Sequence, residues 1–431
     1  MGGKTRKSQP LNIVTLYRLD YVISFKESLA EESQVNSHMT HLGDLIFLAG
    51  VNGTKQAVNY LRDMRNMFGH TAKNTYTVKW DGAPSIVCGI DPADGKFFVA
   101  KKGIFNKTPK VYKTQKDIDA DLSGELADKF SILLKNLPSL GIRSGIFQGD
   151  LMYTKSDLDT VTIDGQEMLT FHPNTIVYAV PADSELAATI RQSELGMVFH
   201  TTYSGNSLDS LKASFGKNIT DKFATSDKVW AIDATLSNDT KSFVLSDEDY
   251  LHTELLLKDI GLQFQRMPAA LLNHISETPE LRDLVLIYIN SLVRQNITDL
   301  NPRETAEGFY KFIHARYQKE IDARKTEKSK SAISDKRINA LKFFDAFDTA
   351  AIASLFELAK SFELLKDILL SKMRKVGGMS HFLRTKDGFK VTAPEGFVAI
   401  SSTTGAAVKL VDRAVFSQSN FNPDVIKGWA K

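Results

Sequence analysis

TYTVKWDGAPSIVCGID, residues 75–91, decides the fold class. β-Branched and aromatic residues lead up to Lys79 and resume after Ser85, with Gly82-Ala83-Pro84 between them, so the stretch reads as two short strands around a turn. GKFFVAKKGIF, residues 95–105, adds a third strand after Asp94-Gly95, which predicts an antiparallel meander. Further along, a helix is expected over 117–136, followed by strands in SGIFQGDLMYT (144–154), NTIVYAV (174–180) and GMVFHTTY (196–203). On the N-terminal side, Val58, Leu61, Met64 and Phe68 recur at helical spacing, with Thr54 as the expected N-cap after Gly53. From about Asp247 to Lys375 the pattern is helical, and strands return in FKVTAPEGFVAISS (389–402) and AAVKLVDRAVFS (406–417). The fold class expected is α+β, an antiparallel-sheet domain interrupted by a large helical insertion. Its divisions are an N-terminal helical or extended segment over 1–70, the first part of the sheet domain over 71–246, the helical unit over 247–380 and the final strands over 381–431.

The 431 residues suffice for two or three domains, and 42% hydrophobic with 24% charged residues is an ordinary globular composition. The net charge of +3 creates no long-range field, so affinity for a polyanion must come from local patches. Cys88 is the only cysteine, which excludes an internal disulfide and a multi-cysteine metal site. No apolar run approaches the ~20 residues of a membrane span, so the expected location is cytoplasmic with no membrane partner.

Lys79 stands at a strand end before Asp81 and Gly82. Such a lysine can act as a nucleophile when desolvation or neighbouring cations favour its neutral amine, and a glycine beside it lets the backbone approach a phosphate. Asp150 follows Gly149 in a second strand, Glu395 opens a third and Lys409 lies in a fourth. A nucleophilic lysine, two carboxylates for a divalent cation and a further lysine to neutralise phosphate are the requirements of nucleotidyl transfer to a protein side chain.

These motifs resemble those of the covalent nucleotidyltransferase superfamily, the ATP-dependent RNA and DNA ligases and mRNA capping enzymes. Lys79-Trp80-Asp81-Gly82 is similar to the adenylating lysine motif, and Lys101-Lys102-Gly103 to the basic strand after it. Phe147-Gln148-Gly149-Asp150 resembles the acidic motif, Ile176-Val177-Tyr178-Ala179 the aromatic strand, Glu395-Gly396-Phe397-Val398 the next acidic motif and Val408-Lys409-Leu410-Val411 the last lysine motif. The wording around them also resembles proteins of large tailed bacteriophages, which bring no activity with them; for such a protein the cytoplasm is the host's.

The superfamily resemblance implies an ATP-grasp-like ligase fold and an ATP-dependent polynucleotide ligase, with RNA ranked ahead of DNA. Lys79 would form lysyl-AMP, Lys102 would contact ribose or phosphate, and Tyr178 would stack on adenine. Thr77 stands where ligases often carry the Glu that reads adenine, and Asp81 and Gly82 complete the nucleotide set. Glu395 and Asp150 would hold Mg²⁺, or Mn²⁺ in its place, and Lys409 would hold the α-phosphate. Val411 occupies the position of a second lysine, for which Arg413 is the candidate replacement. Too few residues follow Lys409 for the barrel of DNA ligases, so the helical unit is expected to grip the substrate. The alternatives are a catalytically silent nucleic-acid-binding protein on the same fold, a DNA ligase and a GTP-using capping enzyme. No obligate protein partner is evident.

Local charge fits nucleic-acid ends as substrate. Residues 101–116 hold six lysines and no acid, with Lys107, Lys110 and Lys113 among the expected contacts. Residues 316–342 hold nine basic and four acidic residues, including Arg324 and Lys325. Gly2-Gly3-Lys4-Thr5 echoes a Walker loop without the upstream glycine, and His38 with His41 has no third metal ligand. His172 and His200 flank the aromatic strand motif and could point toward nucleotide, though the structural reading ranks first for both, and Cys88 reads as a small buried residue.

Overall fold

The computed structural model describes residues 39–215, 218–236, 245–295, 297, 301–373, 379–413 and 423–428. Residues 2–5 and His38 lie outside these. The protein is a mixed α+β structure of three mostly antiparallel sheets and a helical region over 247–372.

The first sheet is assembled from the two ends of the described chain. Its strands are β1 (Thr40–His41), β2 (Thr75–Lys79), β14 (Gly396–Ile400) and β15 (Ala407–Leu410), in the order β1-β15-β14-β2, with only β1 and β15 parallel. The second sheet contains β3 (Ser85–Ile90), β4 (Phe97–Ala100), β5 (Ile146–Thr154), β9 (Leu195–Ser204), β10 (Lys212–Phe215) and β11 (Val229–Asp233). Its order is β10-β9-β5-β3-β4, and β11 pairs in parallel with the first half of β9. The third sheet, in the order β13-β12-β8-β7-β6, holds β6 (Asp159–Ile163), β7 (Gln166–Phe171), β8 (Ile176–Pro181), β12 (Ser380–Thr385) and β13 (Gly388–Val391).

The expected meander is therefore corrected at its first turn. β3 and β4 do form a hairpin, but β2 and β3 belong to different sheets. The Trp80–Pro84 turn is a crossover, held because the Asp81 carboxylate accepts hydrogen bonds from the backbone N–H of Thr175 (2.7 Å) and Ile176 (2.9 Å). The chain leaving β11 binds the free edge of β2, with Val78 N–H donating to Ala234 and Leu236 N–H to Tyr76, so the two sheets are stitched together along the site. The hairpin β6–β7 was missed, although its Asp164-Gly165 turn, both residues at positive φ, carries a recognisable signature.

α1 (Leu45–Met67) is broken at Ala49-Gly50, which leave helical φ/ψ, so the segment that carries Thr54 starts just after Gly50, and Thr54 returns its hydroxyl to the Gly50 carbonyl rather than capping it. The expected helix over 117–136 is two helices, α2 (Gln115–Asp121) and α3 (Gly124–Asn136), because Thr114 and Asp117 form a capping box at one start and Leu122-Ser123 is extended before the other. α4 (Glu185–Gln192) joins β8 to β9. The helical region comprises α5 (Asp247–Arg266), α6 (Ala269–Glu277), α7 (Pro279–Arg294), α8 (Pro302–Asp322), α9 (Glu327–Asp345) and α10 (Thr349–Lys372). It shares one continuous apolar core with α1 and the first and third sheets, running from Phe47 and Met64 through Leu369 to Phe397 and Leu410. Among the described residues no helix is long and apolar enough to cross a membrane.

Candidate active site

Lys79 ends β2 directly opposite Gly396, Thr77 lies opposite Val398, and Val398 lies opposite Lys409 on β15. Alternate residues of a strand share a face, so Thr77, Lys79, Val398 and Lys409 point the same way. Glu395, the residue before β14, pairs its carboxylate with the Lys79 ammonium. The approach depends on Gly396, which has φ +152° and whose Cβ would lie 2.5 Å from the Leu410 carbonyl oxygen.

The second sheet faces this row across a cavity of ≈ 350 Å³ lined by Thr77, Lys79, Lys102, Asp150, His200 and Lys409, among others. Asp150 arrives on β5, opposite Ser85, and His200 on β9 holds its Nε2 3.7 Å from the Asp150 carboxylate. Gln148 is fixed by Tyr203, whose hydroxyl donates to it, and by its own bond to Ser85 Oγ at 2.9 Å. Trp80 Nε1, buried with no hydrogen-bond partner among the described residues, also borders the cavity.

The electrostatics follow from burial. The Glu395 side chain is 6% exposed, and burial pushes its carboxyl up to about 7 against the pull of Lys79, with Asp81 and Asp150 adding to the rise. Burial, then the nearby Lys79, draws the Lys409 ammonium below its ordinary value. Glu395 ionises near 4.5 in the unfolded chain and near 7 in the folded one, so its stabilising contribution is whole below the lower value and lost as pH rises through the higher. The urea midpoint of the wild type is expected to fall relative to Glu395→Gln between pH 5 and pH 8. Parallel midpoints would mean the carboxyl is ionised throughout that range.

Several expected contacts sit elsewhere. Tyr178 is 1% exposed and cannot stack on a base, because its ring packs against Trp80 (5.2 Å between centroids) and Phe171 (5.4 Å). Its hydroxyl instead accepts the Asp81 N–H at 2.7 Å. The strand antiparallel to β5 with side chains in the cavity is β9, which supplies Val198, His200 and Tyr203. His200 is thus a cavity residue rather than a buried structural one; its place beside Val198 at strand spacing was the available signal. The Asp81 carboxylate is consumed by Asn174, Thr175 and Ile176. Gly82 admits protein rather than phosphate, since a Cβ there would lie 2.6 Å from Asp150 Cβ and 2.9 Å from Met152 Sδ. Gly82→Ala is expected to cost about 1–3 kcal/mol in urea unfolding, the range for overpacking a close contact; an unchanged midpoint would mean β5 yields freely.

Arg413 does not replace a second lysine. It is buried, bonded to Asp44 at 2.5 Å with Glu363 at 4.0 Å, while Val411 packs beside Gly396. The lysine run near the site is partly neutralised by acids outside the run: Lys110 pairs with Asp121 (2.6 Å), and Lys113 with Asp91 (2.6 Å) and Asp94 (3.0 Å). Lys102 and Lys107 are exposed. Arg324 and Lys325 are exposed in the turn between α8 and α9, and among the described residues none of the helical region lines the cavity.

No curated protein and no solved structure matches this chain. A family model, described as a family of unknown function (DUF6267), matches residues 36–425, from just before β1 to beyond β15, and so takes in every residue of the cavity. The chain belongs to the DUF6267 family.

Proposed function

We propose that the protein is an ATP-dependent polynucleotide ligase, with RNA ends ahead of DNA ends as substrate, acting through a lysyl-AMP intermediate on Lys79. The observation that carries this reading is the convergence of Lys79 and Lys409 on one face of the first sheet, facing Asp150 and Lys102 across one cavity, with Glu395 paired to Lys79.

Nucleotidyl transfer needs a neutral amine, and Glu395, in contact with Lys79 and with its carboxyl near 7, is matched to take the proton. The Lys79 amine then attacks the α-phosphorus, forming the P–N bond as pyrophosphate leaves. Lys409 stabilises the charge on the α-phosphate oxygens, and Lys102 faces the remaining phosphates or ribose. In the second step an oxygen of a 5′-phosphate end displaces Lys79 from phosphorus, and in the third a 3′-hydroxyl displaces AMP.

Among the described residues no group of three or more His, Cys, Asp or Glu could hold a metal ion by itself. Asp150, which lines the cavity, fits a Mg²⁺ or Mn²⁺ that takes its other ligands from phosphate and water, the ordinary mode for these ions, and Glu395 would join it only when ionised and released from Lys79. Such an ion supplies charge neutralisation at the phosphates. For the base, Thr77, Val398 and His200 line the cavity in place of the buried Tyr178.

Intact-mass measurement after incubation with ATP and Mg²⁺ tests the reading: an increase of one AMP is expected. An increase of GMP with GTP instead selects the capping reading. The alternative of a silent nucleic-acid-binding protein draws on Val411, an apolar residue where a second phosphate-binding lysine is expected; folded protein that binds nucleotide and never forms an adduct selects it.

A further inference from the structure

The Trp80–Pro84 crossover borders a second, larger cavity of ≈ 590 Å³, into which Ala83, Pro84 and Met152 project while Lys79 and Asp150 face the first. Phe171, Val177 and Phe389 give it an apolar floor. One wall carries His172, Arg384 and Lys427, brought together from the β7–β8 loop, β12 and the segment 425–428. That segment is docked by backbone bonds from Ile426 to Arg384 (2.9 Å) and from Gly428 to Asn174 (2.7 Å).

The two sides of the cavity differ in what they offer a ligand. On the far wall Lys129 pairs with Glu125 (2.9 Å) and Asp157 (3.5 Å), while Asp159 accepts the Thr160 N–H and has no ion pair among the described residues, so that side is acidic. On the near wall the Arg384 guanidinium is exposed and has no ion pair or side-chain hydrogen bond among the described residues. Lys427 Nζ is steered by its bond to Thr175 Oγ1 at 2.9 Å. Burial holds His172 down at about 4, with Arg384 and Lys427 adding to the effect, and an anion placed among the three would relieve that repulsion.

We propose that this cavity binds a phosphate group attached to a nucleoside, with Arg384 and Lys427 on the phosphate, His172 beside it with Nε2 turned to the Thr175 carbonyl at 3.3 Å, and the apolar floor under the base, and that its ligand is the 5′-phosphorylated end of a strand. Only the identity of the ligand rests on the ligase reading. Four residues lie between Lys79 and Pro84, at most about 18 Å of extended chain, so a strand end captured here lies beside the nucleophile's cavity and must leave this one to react.

The test follows His172 ring signals by NMR in the full chain with ¹³C-labelled histidine, assigned by their loss in His172→Gln. Probes are a 5′-phosphorylated pentanucleotide, the same strand without phosphate, AMP and inorganic phosphate. The phosphorylated strand is expected to move the His172 signals to saturation, at least ~10-fold more tightly than the unphosphorylated one, the scale of one charge-assisted phosphate contact. Arg384→Ala, at an exposed position, is expected to keep the melting temperature and lose that tenfold, whereas Lys79→Ala keeps the binding. AMP binding as tightly as the strand overturns the strand end and identifies a mononucleotide site; inorganic phosphate alone doing so overturns the nucleoside. Still His172 signals, equal affinity with and without phosphate, or an unaffected Arg384→Ala overturn the site altogether. His172 binding in a protein that never forms an adduct overturns the ligase reading and leaves the site standing.

Discussion

On the proposed ligase reading, in which Lys79 is the nucleophile, Lys79→Ala and Lys79→Arg are both expected to give folded protein with no nucleotide adduct in the intact mass after incubation with ATP and Mg²⁺. Alanine removes the nucleophile; arginine keeps the charge opposite Glu395, but its guanidinium does not deprotonate in proteins and so offers no amine to phosphorus. Lys409→Met, by contrast, keeps the nucleophile and loses the cation beside it. Its adduct forms ~10²–10³-fold more slowly, the cost of deleting one preorganised charge stabiliser. The ordering separates the roles, since only the group that bonds to phosphorus is indispensable. An adduct surviving in Lys79→Ala would move the nucleophile elsewhere in the cavity, with Lys409 first in line.

Arg413→Met is expected to lower stability by about 3–5 kcal/mol in urea unfolding, the scale of breaking a buried ion pair from one side. Arg413 belongs to a charge cluster behind the first sheet, where Asp44 precedes α1 and Glu363, Lys366 and Asp367 come from α10. Lys366, with its side chain 2% exposed, pairs with Glu363 and lies 3.3 Å from Asp367. Removing Arg413 leaves the Asp44 carboxylate enclosed without its cation. Asp44→Asn added to Arg413→Met is therefore expected to recover part of the loss, whereas additive losses would mean the two act independently. The cluster also fixes the helical region to the end of β15, four residues from Lys409.

The strands and helices were legible because local periodicity reports local conformation. β2, β3, β5, β8, β9, β14 and β15 stand where alternation and turn residues placed them, and the helical run begins at Asp247 as its pattern indicated. The limits were equally local. A Gly-Ala-Pro turn looks the same whether it closes a hairpin or carries the chain between sheets, and the hydrogen bonds that decide, from Thr175 and Ile176 to Asp81, come from far along the chain.

The same division runs through the site. The sequence by itself determined the kinds of group available: a lysine at a strand end, carboxylates beside glycines, a lysine in the last strand and basic runs near them. Tertiary structure alone decided which of them meet. It brought Glu395 and Lys409 beside Lys79 through strand register, enclosed Tyr178 between Trp80 and Phe171, spent Lys113 on Asp91 and Asp94, and turned Arg413 toward Asp44. The physical reason is range: backbone preference is settled by neighbours in sequence, whereas burial, ion pairing and the charge state of a side chain are settled by neighbours in space.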